Sequence, residues 1–194
     1  MELDIIDRLS QLEGIEKLPP VDPNLQGKAE QKTPKTNALA VAVIPAMLAG
    51  FYKYTRDEEH AAQIIGAAGN IGWPELLFGD DTKRFRKSIA AYAKVPIREV
   101  AERMQHTAQN IVLLVNRELS PADGKAIKNY FTSQRTHILQ RLPAAIEAGD
   151  IMNDTTLDDR TNKMSGPVSG LMHSIEKTFA STDTAEDKDR SSKF

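Results

Sequence analysis

The chain has no cysteine, one tryptophan and few other aromatic residues, 6% in all. Without cysteine there are no disulfides, no thiolate metal ligands and no cysteine nucleophile, which suits a reducing compartment. Charge of one sign is lacking too: 25 Lys and Arg against 27 Asp and Glu leave a formal charge of −2. No global field draws such a chain to nucleic acid or to an anionic membrane, so either contact would need a local patch. Long apolar runs are also missing. The longest, Ala38–Tyr52, contains Pro45 and falls short of the roughly 20 residues a bilayer span needs. Residues 1–11, MELDIIDRLSQ, are acidic with no continuous apolar stretch, so no secretory signal is read there. The expected compartment is the cytoplasm.

Short signatures of chemistry are absent as well. No GxSxG elbow frames a serine, and no GxxxxGK[ST] or GxGxxG loop is present to cradle phosphate. His60, His106, His137 and His173 are scattered, none lies four residues from another, and HExxH does not occur, so they do not read as a zinc set. Asp150, Asp154, Asp158 and Asp159, with Asn153 and Asn162, lack the spacing and the glycine of a calcium loop. They read as caps and loop solvation. No catalytic residue, cofactor site or metal ligand is assigned, and no cofactor is expected.

What the chain does carry is apolar residues at helical pitch. In Pro96–Leu119, Ile97, Val100, Ala101, Met104, Ala108, Ile111, Val112 and Val115 fall on one stripe. The run Ile111–Val115 is apolar all round, which predicts enclosure on several sides, and this segment reads as the central helix. Asn37–Tyr54 is apolar on nearly every side and reads as a buried helix, capped at Asn37 and kinked by Pro45. Thr55–Glu58 has the form of a capping box that would start a helix through Ala68. Gly69, Gly72 and Pro74 then break the chain, and Trp73, Leu76, Leu77 and Phe78 are expected to plug one end of the bundle. A helix over Thr82–Lys94, capped by Asp80 or Asp81, buries Phe85, Ile89, Tyr92 and Ala93. Ser120 and Pro121 suggest the start of a further helix, bent at Pro143 and running to Ala148, with Ile127, Phe131, Ile138, Leu142 and Ile146 inward.

The expected fold class is all-α: a compact helical bundle of about five to six helices, with a tethered N-terminal helix and a C-terminal amphipathic helix. Its expected divisions are an amphipathic helix over residues 1–13, a proline-rich linker over 14–35 (Pro19, Pro20, Pro23, Pro34), the bundle over 36–180 and a disordered polar tail over 181–194.

Three stretches within 37–119 resemble the bacterial YidB-like family of small helical proteins. They are the alanine-rich AVAVIPAMLAGFY of residues 40–52, Leu77-Phe78-Gly79 leading into the helix that ends Ile89-Ala90-Ala91-Tyr92-Ala93-Lys94, and the Val95-Pro96 corner followed by Val100 and Met104. The resemblance implies an all-α bacterial protein and brings no catalytic residue with it.

Two candidate sites follow. Lys83, Arg84, Arg86 and Lys87 form the densest basic cluster, and Lys83, Arg86 and Lys87 are neighbours on a helix. They suggest an anion or nucleic-acid contact, weighed against a solvated face opposed by Asp80, Asp81, Glu99 and Glu102. Val168, Leu171, Met172, Ile175 and Phe179 make an apolar stripe on an expected last helix, Pro167–Ala180. That stripe docks on the bundle or enters a protein partner's groove. The leading functional expectation is a non-enzymatic protein-protein interaction or scaffold module working through its two terminal helices. The alternatives are an anion or nucleic-acid module at the basic cluster, and a carrier of an apolar small molecule in a cavity lined by Met47, Trp73 and Met104. Self-association into a homo-oligomer is left open.

Overall fold

Residues 35–54 form the helix that the other elements surround. This helix, α2 (Lys35–Tyr54), runs through Pro45 without a break. Every residue from Leu39 to Phe51 is buried, as its apolar residues on all sides require. The remaining helices are α1 (Ile5–Leu12), α3 (Glu58–Ala62), α4 (Trp73–Phe78), α5 (Thr82–Ala93), α6 (Ile97–Glu118), α7 (Gly124–Arg141) and α8 (Ala148–Ile151). Short 3-10 turns at Gly79–Asp81, Ala144–Ile146 and Thr155–Leu157 connect or follow them. The structure is a computed structural model that describes residues 4–15, 17–18, 35–67 and 71–157. No strand occurs among the described residues, and all of them fall within one compact unit, Met1–Asp158. The fold is all-α.

α2 packs against α5, α6 and α7, and more lightly against α1 and α4. Phe51 lies at the crossing. Its ring stacks on Phe131 of α7 with centroids 5.9 Å apart and meets Trp73 of α4 at 5.3 Å. Phe78 and Phe85 close the other side at 4.4 Å. The centre of the bundle is therefore α2 and not α6, because α2 alone lacks a polar face. α6 keeps a wet side: Leu113 is 56% exposed, and Ile97, expected on the inward stripe, is 47% exposed because it lies in the first turn of the helix. The expected enclosure of Ile111–Val115 fails at Leu113, which points away from the stripe formed by Ile111, Val112, Leu114 and Val115.

The ends of several helices differ from their sequence signals. Thr55 does not cap α3; its Oγ1 donates back to the Phe51 carbonyl at 2.8 Å. Asp57 caps instead, accepting from the amides of Glu59 and His60, each at 2.9 Å. A buried threonine finds an acceptor in the preceding turn of α2, which leaves the cap to the exposed aspartate. α3 stops at Ala62 and does not reach Ala68; turns follow over residues 63–66. Asp81 sits at the N-cap position of α5, yet neither it nor Asp80 caps by a side-chain hydrogen bond, and Thr82 bonds the Gly79 carbonyl at 2.6 Å. Ser120 does not start α7. Asp123 does, accepting from the Ala126 amide at 2.7 Å. Pro143 ends α7 rather than bending it, since α7 stops at Arg141 and Leu142 is extended. Ile127, Phe131, Ile138, Leu142 and Ile146 are all buried as their spacing predicts.

α3 and α7 pack closely because residue 124 is glycine. A Cβ on Gly124 would lie 2.3 Å from the Glu58 carbonyl oxygen. Gly50 plays the same part between α2 and α4, where a Cβ would lie 2.7 Å from the Phe78 ring.

Candidate functional site

The N-terminal helix is seated on its own bundle. α1 contacts α2, α6 and α7. Ile5, Ile6 and Leu9 are buried there, while Leu12 at its end is 42% exposed. Asp4 caps α1 by accepting from the Asp7 amide at 2.9 Å. A helix of eight residues is marginal by itself, so α1 owes its form to this seat.

Charge fixes its placement. Arg141, at the C-terminal end of α7, is 6% exposed. Its Nη1 lies 3.0 Å from Asp4 Oδ2 and its Nη2 lies 3.7 Å from Asp7 Oδ1. Its Nε donates to the Leu18 carbonyl at 3.1 Å. Leu18 is itself buried, so the chain is packed past residue 14, where the linker was expected to begin. At the other end of α1, Glu13 pairs with Arg103 of α6 and accepts from Asn110 at 3.2 Å. The Glu13 side chain is wholly enclosed. Arg8 meets Glu118 at 2.7 Å, and Lys17 meets Asp7 at 2.9 Å. The helix thus presents carboxylates to Arg141 and Arg103 and one cation, Arg8, to Glu118, with His137 also 3.5 Å from Asp4.

The seat is nonetheless imperfectly satisfied. Asp7 Oδ1, Ser10 Oγ, Arg103 Nε and Thr107 Oγ1 are buried without a hydrogen-bond partner. Thr107 lies on the same face of α6 as Arg103 and Asn110, one turn from each. Elsewhere among the described residues the comparable atoms are Arg86 Nε and Asp154 Oδ2, and the latter faces Arg56 at 2.7 Å. Each unmet buried group costs about 1–3 kcal/mol. Four such groups gather around one short helix.

A second feature is an apolar groove of about 390 Å³ beside α6, lined by Gly66, Ala67, Trp73, Val112, Leu113 and the amides Gln109 and Asn116. Asn116 ties its wall together. It accepts from the Gly66 amide at 2.9 Å and donates to the Ile64 and Val112 carbonyls at 2.8 and 2.9 Å. Gln105 donates to the Ile71 carbonyl at 2.7 Å. These two amides pin the chain on either side of residues 68–70. Sequence reading missed them; the available signal was an asparagine, a poor helix former, directly after the run Ile111–Val115. Trp73 lines the groove, but Met47 and Met104 are buried in the core and do not line it.

The basic cluster is split by its pairing. Arg84 is bonded to Asp150, and Arg86 meets Glu75 at 2.5 Å. Lys83 and Lys87 are exposed. The acids opposing the cluster are thus Asp150 and Glu75, which lie outside its own helix, rather than the expected Asp80, Asp81, Glu99 and Glu102. Of the aspartates after α7, Asp150 and Asp154 hold structure, while Asp158, Asp159 and Asn162 lie outside the described residues. Burial opposes ionisation of Asp154, but the Thr156 hydroxyl and amide and the Arg56 guanidinium outweigh it and hold the carboxyl below its ordinary range. Arg56 also bonds Thr156 Oγ1 at 2.9 Å, and Lys53 donates to the Met152 carbonyl. The segment after α8 is thereby fastened to the end of α2.

His60 stacks on Tyr54 at 4.7 Å, His106 is exposed, and His173 lies outside the described residues. Among the described residues no three His, Asp or Glu side chains are gathered to hold a metal ion, and no helix is long and apolar enough to cross a membrane. The stripe Val168, Leu171, Met172, Ile175 and Phe179 also lies outside the described residues. No family model, curated protein or solved structure matches this chain.

Proposed function

We propose that this chain is a non-enzymatic protein-interaction module whose terminal amphipathic segments make and regulate its contacts. The observation that supports this reading is the seat of α1. A short acidic helix lies across α2, α6 and α7 in the manner of a helical ligand in a groove, joined to the bundle through residues 16–34. The bacterial origin implied by the YidB-like resemblance belongs to the same proposal.

The test is affinity capture from the native host with the full chain and with chains lacking residues 2–13 or 167–194. The reading expects at least one partner to be gained or lost on a deletion. A partner set unchanged by both deletions would refute it.

A second reading is favoured by the groove beside α6, whose volume falls in the range of small-molecule pockets. It is the binding of an apolar small molecule there. Trp73 is the single tryptophan and lines the groove, so its fluorescence should shift saturably on titration with such a compound. An unchanged spectrum across a panel of apolar ligands would count against it.

A further inference from the structure

Resting on the reading above, we infer that the α1 seat is an exchangeable site for an acidic amphipathic helix of a partner protein, and that α1 is its resident competitor. Three features of the seat carry this.

The first is recognition chemistry. The floor accepts an aliphatic triad spaced as Ile5, Ile6 and Leu9. Arg141 stands over the N-terminal carboxylates, Asp4 and Asp7, and Arg103 over the C-terminal one, Glu13. Two cations at opposite ends of a groove, Arg141 enclosed and Arg103 part-buried, select the sign of charge of the entering helix. A neutral or basic helix would leave the enclosed Arg141 guanidinium without a carboxylate, which is costly.

The second is the poor satisfaction of the resident. The orphaned Ser10 Oγ on α1, with Arg103 Nε and Thr107 Oγ1 on α6, means that α1 is not the best helix for its own seat. A partner helix presenting a hydrogen-bond acceptor to Arg103 and Thr107 recovers what α1 forfeits.

The third is covalent attachment. α1 belongs to the same chain as its seat, so it competes as an intramolecular ligand whose occupancy does not depend on protein concentration. A resident in the same chain can be weak in its contacts and still occupy the site until a better-matched helix arrives.

The test uses the full chain and a fluorescent synthetic peptide of residues 1–18, read by anisotropy. We expect the Leu9→Asp chain, whose own helix is weakened, to bind this peptide at least tenfold more tightly than the unmodified chain. Adding Arg141→Glu to Leu9→Asp should reverse the gain by at least tenfold. A peptide with Asp4, Asp7 and Glu13 changed to Asn, Asn and Gln should bind the Leu9→Asp chain at least tenfold more weakly. No peptide binding, or equal binding of acidic and neutral peptides, overturns the inference.

Hydrogen exchange on the unmodified chain decides the matter if Leu9→Asp fails to fold. The amides of α1 should exchange at least a hundredfold faster than those of α2 and α6, and equal protection overturns exchangeability. Concentration-dependent dimerisation that Arg141→Glu abolishes would give the seat to a second copy and overturn the assignment to a partner. Peptide exchange without any partner that depends on the terminal segments would show an exchangeable seat but overturn its assignment to a partner protein together with the functional reading. Terminal-dependent capture without peptide exchange would leave the functional reading standing and overturn the inference.

Discussion

The guanidinium of Arg141 lies 3.0 Å from the carboxylate of Asp4, joining the last turn of α7 to the first turn of α1. Both side chains are mostly enclosed, at 7% and 12% exposure. Breaking an enclosed ion pair by removing one partner ordinarily costs about 3–5 kcal/mol, because the other charge is left behind in a poor solvent. Here the stranded carboxylates have an escape: α1 can leave its seat and hydrate them. Arg141→Ala should therefore lose only about 1–3 kcal/mol in chemical denaturation. The amides of α1 should lose their hydrogen-exchange protection, while those of α2 keep theirs.

Gly124 permits the crossing of α3 on α7. A methyl group there meets a backbone oxygen at 2.3 Å, and backbone cannot rotate away as a side chain can. Gly124→Ala should cost about 1–3 kcal/mol from overpacking, even though alanine is the better helix former. Equilibrium denaturation measures this, and a stabilised variant would contradict the close approach.

Leu113 and Leu114 are sequence neighbours in opposite environments, one 56% exposed and the other fully buried. Leu114→Ala should cost about 2–5 kcal/mol. Leu113→Gln should change stability by no more than about 0.5 kcal/mol, while altering the mouth of the groove beside Trp73. Comparison of the two denaturation midpoints checks the orientation of α6.

Asp154 supplies an acid-sensitive contribution. Burial works against its charge, but Thr156 and Arg56 hold its carboxyl below the ordinary value in the folded chain. The folded state then binds this proton less readily than the unfolded chain. The resulting stabilisation is complete above the unfolded value of about 3.9 and is lost as pH falls through the lower folded value. Asp154→Asn should be less stable at neutral pH. Its melting temperature should fall less steeply than that of the unmodified chain between about pH 5 and pH 2.

Much of the fold was legible because helical periodicity is local. The positions Phe85 and Ile89, Met104 and Ile111, and Ile127 and Phe131 sit inward as their spacing requires. Helix ends were less legible, since neighbouring residues compete for them. Thr55 could cap α3 or bond back into α2, and burial chose the second; Ser120 and Asp123 both suit the start of α7, and the aspartate holds it. The centre of the bundle was misplaced for a related reason. Periodicity ranks a clean stripe above an all-apolar segment, yet the segment with no polar face is the one that must be surrounded.

By itself the sequence determined the all-α class, the inward faces of the long helices and the amphipathic character of residues 5–12. Each depends on residues within one or two turns of one another. Only the tertiary structure decided that α1 lies on its own bundle, that Arg84 and Arg86 answer to Asp150 and Glu75, and that Asp4 and Glu13 face Arg141 and Arg103. Those pairings join residues on different helices, most of them far apart along the chain. Coulombic attraction depends on distance in space and leaves no periodic mark in sequence.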